Sequence, residues 1–199
     1  MRAPITILLA AGLVGAPALA QQGVTKAEAD RFQAKLVRIV QFGQTRPNRG
    51  GKGISTPMTD REINSYLRFN AADQIPVGVL EPTLRAAGAG RVSGRAVVDL
   101  DAVRKQKQRG WLDPLGYLTG RLPVTAVGRL TTGDGRGQFQ LESAEISGVT
   151  VPKAVLQELL SYYSRTPEKP SGIDMDAPFE LPARIREIHV ATGTATVVQ

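Results

Sequence analysis

The chain contains no cysteine in 199 residues. That excludes a disulfide, a thiolate nucleophile and any cysteine-based metal site. Histidine is nearly as scarce, with His189 the single copy, and aromatic residues make up only 5%. One histidine cannot build a multi-histidine metal centre, and no HExxH is present. A Ser-His-Asp triad would have to recruit His189, yet the chain lacks a GxSxG elbow. His189 lies on the alternating stretch Ile188-His189-Val190, which turns its neighbours inward and the imidazole out to solvent. A phosphate loop is missing too. Gly50-Gly51-Lys52-Gly53 lacks the GxxxxGK[ST] frame, and Gly133-Asp-Gly-Arg-Gly137 falls between two predicted strands. No internal repeat or low-complexity tract occurs. The expectation is a non-enzymatic protein with no cofactor and no metal.

Two carboxylate pairs are the remaining chemistry. Asp99 with Asp101, and Asp174 with Asp176, are spaced i, i+2, which puts both acids on one face of a strand. Neither continues into an EF-hand loop, so cap and turn roles are expected. A glycosidase-like hydrolase with two acids that meet only in space stays open as an alternative.

What the chain does have begins at its first residues. Arg2, the apolar run Ile5–Ala16 and the small-residue site Pro17-Ala18-Leu19-Ala20 read as a signal peptide spanning 1–20. The run is shorter than the ~20 residues that span a bilayer, and no cysteine follows for lipid attachment. The expectation is cleavage after Ala20 and a soluble, periplasmic mature chain of one domain. The net charge is +7. In an exported protein that excess meets anionic headgroups or polysaccharide rather than nucleic acid. The basic clusters 46–52 and 104–109 have no interleaved aromatics, which also argues against base stacking.

Residues 21–53 read as an amphipathic helix followed by a basic loop, and 54–199 as one α+β unit. Thr25 predicts a capping box with Glu28, Val24 and Ala29 a hydrophobic staple, and Phe32, Leu36, Ile39 and Val40 one apolar stripe. Thr59-Asp60-Arg61-Glu62 repeats the capping device, with Met58 and Ile63 as staple and Ile63, Tyr66 and Leu67 as a short apolar face. Strands are predicted at 77–80, 91–98 and 122–130, a hairpin turn at Thr132–Gly135, and a further strand from Gln138. Ile146 is out of phase with Phe139 and Leu141, which predicts a bulge or a bend between them. Asp101 is expected to cap a brief basic helix, and Pro152 to open a helix as its first residue, with Leu156, Leu159, Leu160 and Tyr163 as its stripe. A β-region from 179 to 198 with a turn at Gly193 closes the chain. Helices, sequential strands and a terminal hairpin, without repeating βαβ units, give α+β with a curved, mostly antiparallel sheet. One face of that sheet must be covered. If the helices cover it incompletely, an apolar groove suited to an acyl chain results; the other outcome is a filled core.

Several short motifs occur in an order that resembles the LmeA-like and YpmS-like bacterial envelope proteins. They are Thr59-Asp-Arg-Glu-Ile-Asn-Ser-Tyr-Leu67, the strand pair ending Val97-Val-Asp-Leu-Asp101, the Asp134–Gly137 hairpin, Gly148-Val-Thr-Val-Pro-Lys-Ala-Val-Leu-Gln-Glu-Leu-Leu160, and Leu181-Pro-Ala-Arg-Ile-Arg-Glu-Ile-His-Val with its Gly193-Thr-Ala-Thr-Val tail. The resemblance covers about 54–199 and implies a half-tubular, TULIP-like sheet around short helices, with a phospholipid or other amphiphile on the concave face. It implies a monomeric binder or carrier in envelope lipid transport or homeostasis. On that reading Ile63, Tyr66, Leu67, Leu156, Leu159, Leu160 and Tyr163 line the groove from the helices. Phe139, Leu141, Ile188 and Val190 line it from the sheet. Arg46, Arg49, Lys52, Arg104 and Lys105 meet the headgroup or dock transiently on an anionic membrane surface. Two further alternatives are an envelope scaffold with a packed core and a LolA-like carrier of acylated protein.

Overall fold

The computed structural model describes residues 23–45, 53–106, 119–167 and 169–199. The signal segment and the basic loop residues Arg46, Arg49 and Lys52 lie outside the described residues, as does the side chain of Tyr163. The chain is α+β. Helix α1 (Lys26–Gln44), strand β1 (Ser55–Thr59) and helix α2 (Asp60–Phe69) precede β2 (Val79–Gly88) and β3 (Arg91–Asp99). Then come α3 (Leu100–Gln106), β4 (Arg121–Gly133), β5 (Arg136–Ile146), β6 (Val149–Thr150) and α4 (Lys153–Ser164), and finally β7 (Phe179–Glu180), β8 (Glu187–Ala191) and β9 (Thr194–Val198).

The strands form two antiparallel sheets. The larger runs β2-β3-β4-β5-β6 with β7 also on β5, and it stays open rather than closing into a barrel. The smaller has the order β1-β9-β8. Strands β2 to β5 of the large sheet pair in chain order, with α3 carried in the connection between β3 and β4. At its β4–β5 turn, Asp134 and Gly135 take φ angles of 51° and 77°, the left-handed pair that a tight two-residue turn demands. The expected bulge is present: Gly128 pairs Leu141 while Val127 pairs Ser143, so Glu142 is the extra residue. Bulges bend a strand and raise its twist, and β2 carries two more.

The buried cluster sits in the smaller unit. Phe32 and Ile39 of α1, Met58 of β1, Leu181, Ile185, and Val197 of β9 pack together, with Leu36, Ile63, Tyr66, Ala183 and Ile188 against them. The Phe32 and Tyr66 rings lie 5.0 Å apart. Two features fix α2 there. Thr59 and Glu62 complete the predicted capping box, with Glu62 N–H donating to Thr59 Oγ1 at 3.2 Å and Thr59 N–H to Glu62 Oε2 at 2.9 Å. Lys35 of α1 then donates to both Glu62 carboxylate oxygens, at 2.7 and 2.8 Å, and to the Pro57 carbonyl at 2.7 Å.

Several local expectations are corrected. Thr25 caps α1 through Glu28 N–H at 3.2 Å, but its own N–H donates to Ser65 Oγ, because Glu28 is drawn to Arg31 instead. Val40 is 49% exposed; the buried stripe runs Ala29, Phe32, Ile39, one residue short of it around the helix. The cap of α3 is Asp99, whose Oδ1 accepts from Ala102 N–H at 3.0 Å, while Asp101 accepts from Arg104 and from Gly120 N–H. Pro152 is the N-cap of α4 rather than its first residue. The strand expected at 77–80 starts at Val79 and runs on to Gly88, passing Pro82 through a bulge at the sheet edge where no N–H is required.

That edge is covered by side chains of α2. Asn64 donates to the Leu84 carbonyl at 2.8 Å and accepts from Leu84 N–H at 2.7 Å, and Asp60 accepts from Ala86 N–H at 2.9 Å. One amide thus stands in for a neighbouring strand. Asn64→Leu is expected to lower stability by about 1–2 kcal/mol in urea unfolding, for two lost hydrogen bonds. The bared edge should also raise the aggregated fraction in size-exclusion chromatography.

Candidate functional site

Pairing register assigns the two faces of the large sheet. Val92, Gly128 and Leu141 share one row; Leu84, Gly94, Ala126 and Ala144 the next; Ala96, Val124 and Ile146 a third; and Val98 with Leu122 a fourth. Leu130 and Phe139 extend it toward the β4–β5 turn. This face is apolar throughout. The opposite face carries Arg85, Arg91, Arg95, Arg121, Arg129, Thr125, Ser143 and Glu145 together with Leu80, Val97, Pro123 and Val127, so it is mixed in polarity but holds all five arginines of β2, β3 and β4.

The apolar face is incompletely covered. Among the described hydrophobic residues on it, only Ala86 and Ala144 are buried; Leu84 is 45% exposed, and the valines, Leu122, Leu130, Phe139, Leu141 and Ile146 are half-buried. Small side chains deepen its middle row. At Gly128 a Cβ would lie 2.3 Å from Cζ of Phe139, so the glycine is what lets that ring lie flat across the strand. On the other side of the sheet, beside α2, an open cleft of about 510 Å³ is bounded by Asp60, Asn64 and the strand segments 83–85, 93–95 and 125–127, whose Arg85, Ser93, Arg95 and Thr125 belong to that opposite face.

The residues expected to line a groove fall into separate groups. Ile63, Tyr66 and Ile188 pack on the small-sheet core, and Val190 is buried. Leu67 is half-buried on α2. Phe139 and Leu141 do lie on the apolar face of the large sheet. Leu156, Leu159 and Leu160 are half-buried on α4. That helix is tied to the loop after it by Gln157 Nε2, which donates to the Ile173 carbonyl at 2.9 Å, and by a 2.6 Å ion pair between Lys153 and Asp176. The residues sequence reasoning missed on this face are Leu84, Val92, Val98, Leu122, Val124 and Ile146. Alternation marked strands around Val92, Val98, Leu122 and Val124 but not around Leu84, and only the register between strands puts them all on one surface. Of the basic candidates, Arg104 is engaged with Asp101 at 2.8 Å and with the Leu100 carbonyl, while Lys105 is exposed.

The acids serve structure. The N–H of Ala102, and after it the guanidinium of Arg121, holds the Asp99 carboxyl below its ordinary value. Asp174 accepts from Asp176 N–H at 2.9 Å in a local turn. His189 is 63% exposed in its side chain and lies 3.1 Å from Glu187. Among the described residues no group of three or more potential ligands could hold a metal ion, and no helix is long and apolar enough to cross a membrane.

No family model matches the chain, and no curated protein matches it. One solved structure it resembles is described as "Crystal structure of lipopolysaccharide binding protein", at 14% identity and a TM-score of 0.23. The match covers 73% of this chain and 40% of that one. The functional reading therefore comes from the chain's own geometry.

Proposed function

We propose that the apolar face of the large sheet holds the acyl chains of a phospholipid-like amphiphile, in an exported protein that serves envelope lipid transport or homeostasis by binding rather than catalysis. One observation carries this: the buried cluster belongs to α1, α2 and the small sheet, while the broad apolar face beside it is left half-exposed. A contiguous apolar surface of that kind is costly to leave in water and marks a binding site. The bent, open sheet suits chains laid across it better than a closed tunnel. The structural engagement of the acids favours a binder over a carboxylate hydrolase.

Native mass spectrometry after incubation with phosphatidylglycerol or phosphatidylcholine tests the reading. The wild-type chain is expected to retain a phospholipid adduct. Val124→Asp, which puts a carboxylate among the acyl chains, should weaken retention at least about tenfold with its circular dichroism unchanged. Absence of any adduct, or equal retention by the variant, overturns the proposal. Displacement of the adduct by acylated peptide would shift the cargo from a free lipid to an acylated protein.

A further inference from the structure

The arginine-bearing face of the large sheet has an electrostatic asymmetry. Five arginines stand on β2, β3 and β4. Three have an acidic partner: Arg91 donates to Glu142 at 2.8 Å, Arg129 lies 3.7 Å from and shares that same carboxylate, and Arg121 donates to Asp99 at 3.2 Å. Arg85 and Arg95 have no ion pair among the described residues, and both are exposed. Register makes them diagonal neighbours, since Arg85 stands opposite Ser93 and Arg95 opposite Thr83 on one side and Thr125 on the other. Diagonal positions are about 7–8 Å apart, a spacing that lets two guanidinium groups converge on one anion.

The surroundings suit such an anion. The Ser93 hydroxyl stands directly across from Arg85 and two residues from Arg95 on the same strand, and the Thr125 hydroxyl flanks Arg95 on the next strand. The cleft described above is bounded by these same residues. Its one carboxylate, Asp60, already accepts from Ala86 N–H. Glu145 is the acid next in register, beyond Thr125 and two strands from Arg95.

We propose that Arg85 and Arg95, with the hydroxyls of Ser93 and Thr125, form a binding site for a phosphate-type oxyanion. Each guanidinium offers a planar fork that matches two phosphate oxygens, and a hydroxyl donates to a third. A free phosphate and a phospholipid headgroup present the same chemistry. The site is on the opposite face from the acyl surface and does not depend on it.

The full mature chain, Arg85→Gln/Arg95→Gln, and a charge-matched control, Arg38→Gln/Arg186→Gln, are compared. Inorganic phosphate binding is measured by titration calorimetry, and binding to phosphatidylcholine vesicles with and without phosphatidylglycerol by co-sedimentation. The site variant is expected to weaken phosphate or anionic-vesicle binding at least about tenfold, and the control to change it by less than about twofold. Loss seen with phosphate assigns a soluble ligand, and loss seen only with anionic vesicles assigns a headgroup; either supports the site. Binding of neither probe, or equal weakening in both variants, overturns it.

Discussion

Phe32→Ala is expected to cost about 3–5 kcal/mol of folding free energy, the largest loss for a single truncation among the described residues. The ring is 8% exposed and lies against Tyr66, and it joins α1 to Met58, Leu181 and Val197. No other aromatic residue is among the buried members of that cluster, so its removal leaves a ring-sized cavity that its aliphatic neighbours close only in part. Urea unfolding followed by far-ultraviolet circular dichroism measures the effect. A loss under about 1 kcal/mol would mean that α1 does not pack there.

Glu62→Ala is expected to cost about 3 kcal/mol, because it strands the partly buried Lys35 ammonium and removes half of the capping box. The Glu62 carboxyl adds a pH signature. Burial pushes it up, but the Lys35 ammonium and the Thr59 N–H outweigh burial and hold it below its ordinary value of 4.5. A carboxyl depressed in the folded state binds fewer protons than in the unfolded chain, so its contribution is present above pH 4.5 and is lost as pH falls through the lower, folded value. Wild-type stability should therefore decline on acidification through that window. Glu62→Gln should flatten the decline, and an unchanged slope in that variant would remove Glu62 as its source.

Local signals were the legible part of this chain. The capping residues Thr25 and Thr59, the Asp134-Gly135 turn and the bulge before Ile146 involve neighbours within a few positions, so their chemistry is visible in the sequence. Strand β1 was not legible, since Ser-Thr-Pro-Met-Thr carries no β pattern and becomes a strand only by pairing with residues 194–198. The second half of β2 was hidden for the same reason, with Pro82 interrupting an edge that α2 completes. The candidate site was half visible. Apolar stripes on α2, α4 and the strands were all apparent, but a stripe does not say which surface it meets. Tyr66 and Ile188 joined the small-sheet core, while Val92, Val124 and Ile146 formed the open face through long-range register. Asp99 and Asp101 show the limit in miniature: both suit a cap, and the backbone of Ala102 chose the first.

Strand β1 of the small sheet pairs with β9 some hundred and forty residues away, whereas β2 to β5 pair in chain order, with tight turns at β2–β3 and β4–β5 and α3 inserted between β3 and β4. Ladders between sequence neighbours zip quickly, and closure over long separations is slow. The meander of β2 to β5 is therefore expected to assemble first and the three-stranded unit to latch afterwards. In that interval the nascent molecule shows its greasy strand surface to its surroundings, a period in which a holding chaperone or an early lipid guest would protect it from sticking to copies of itself.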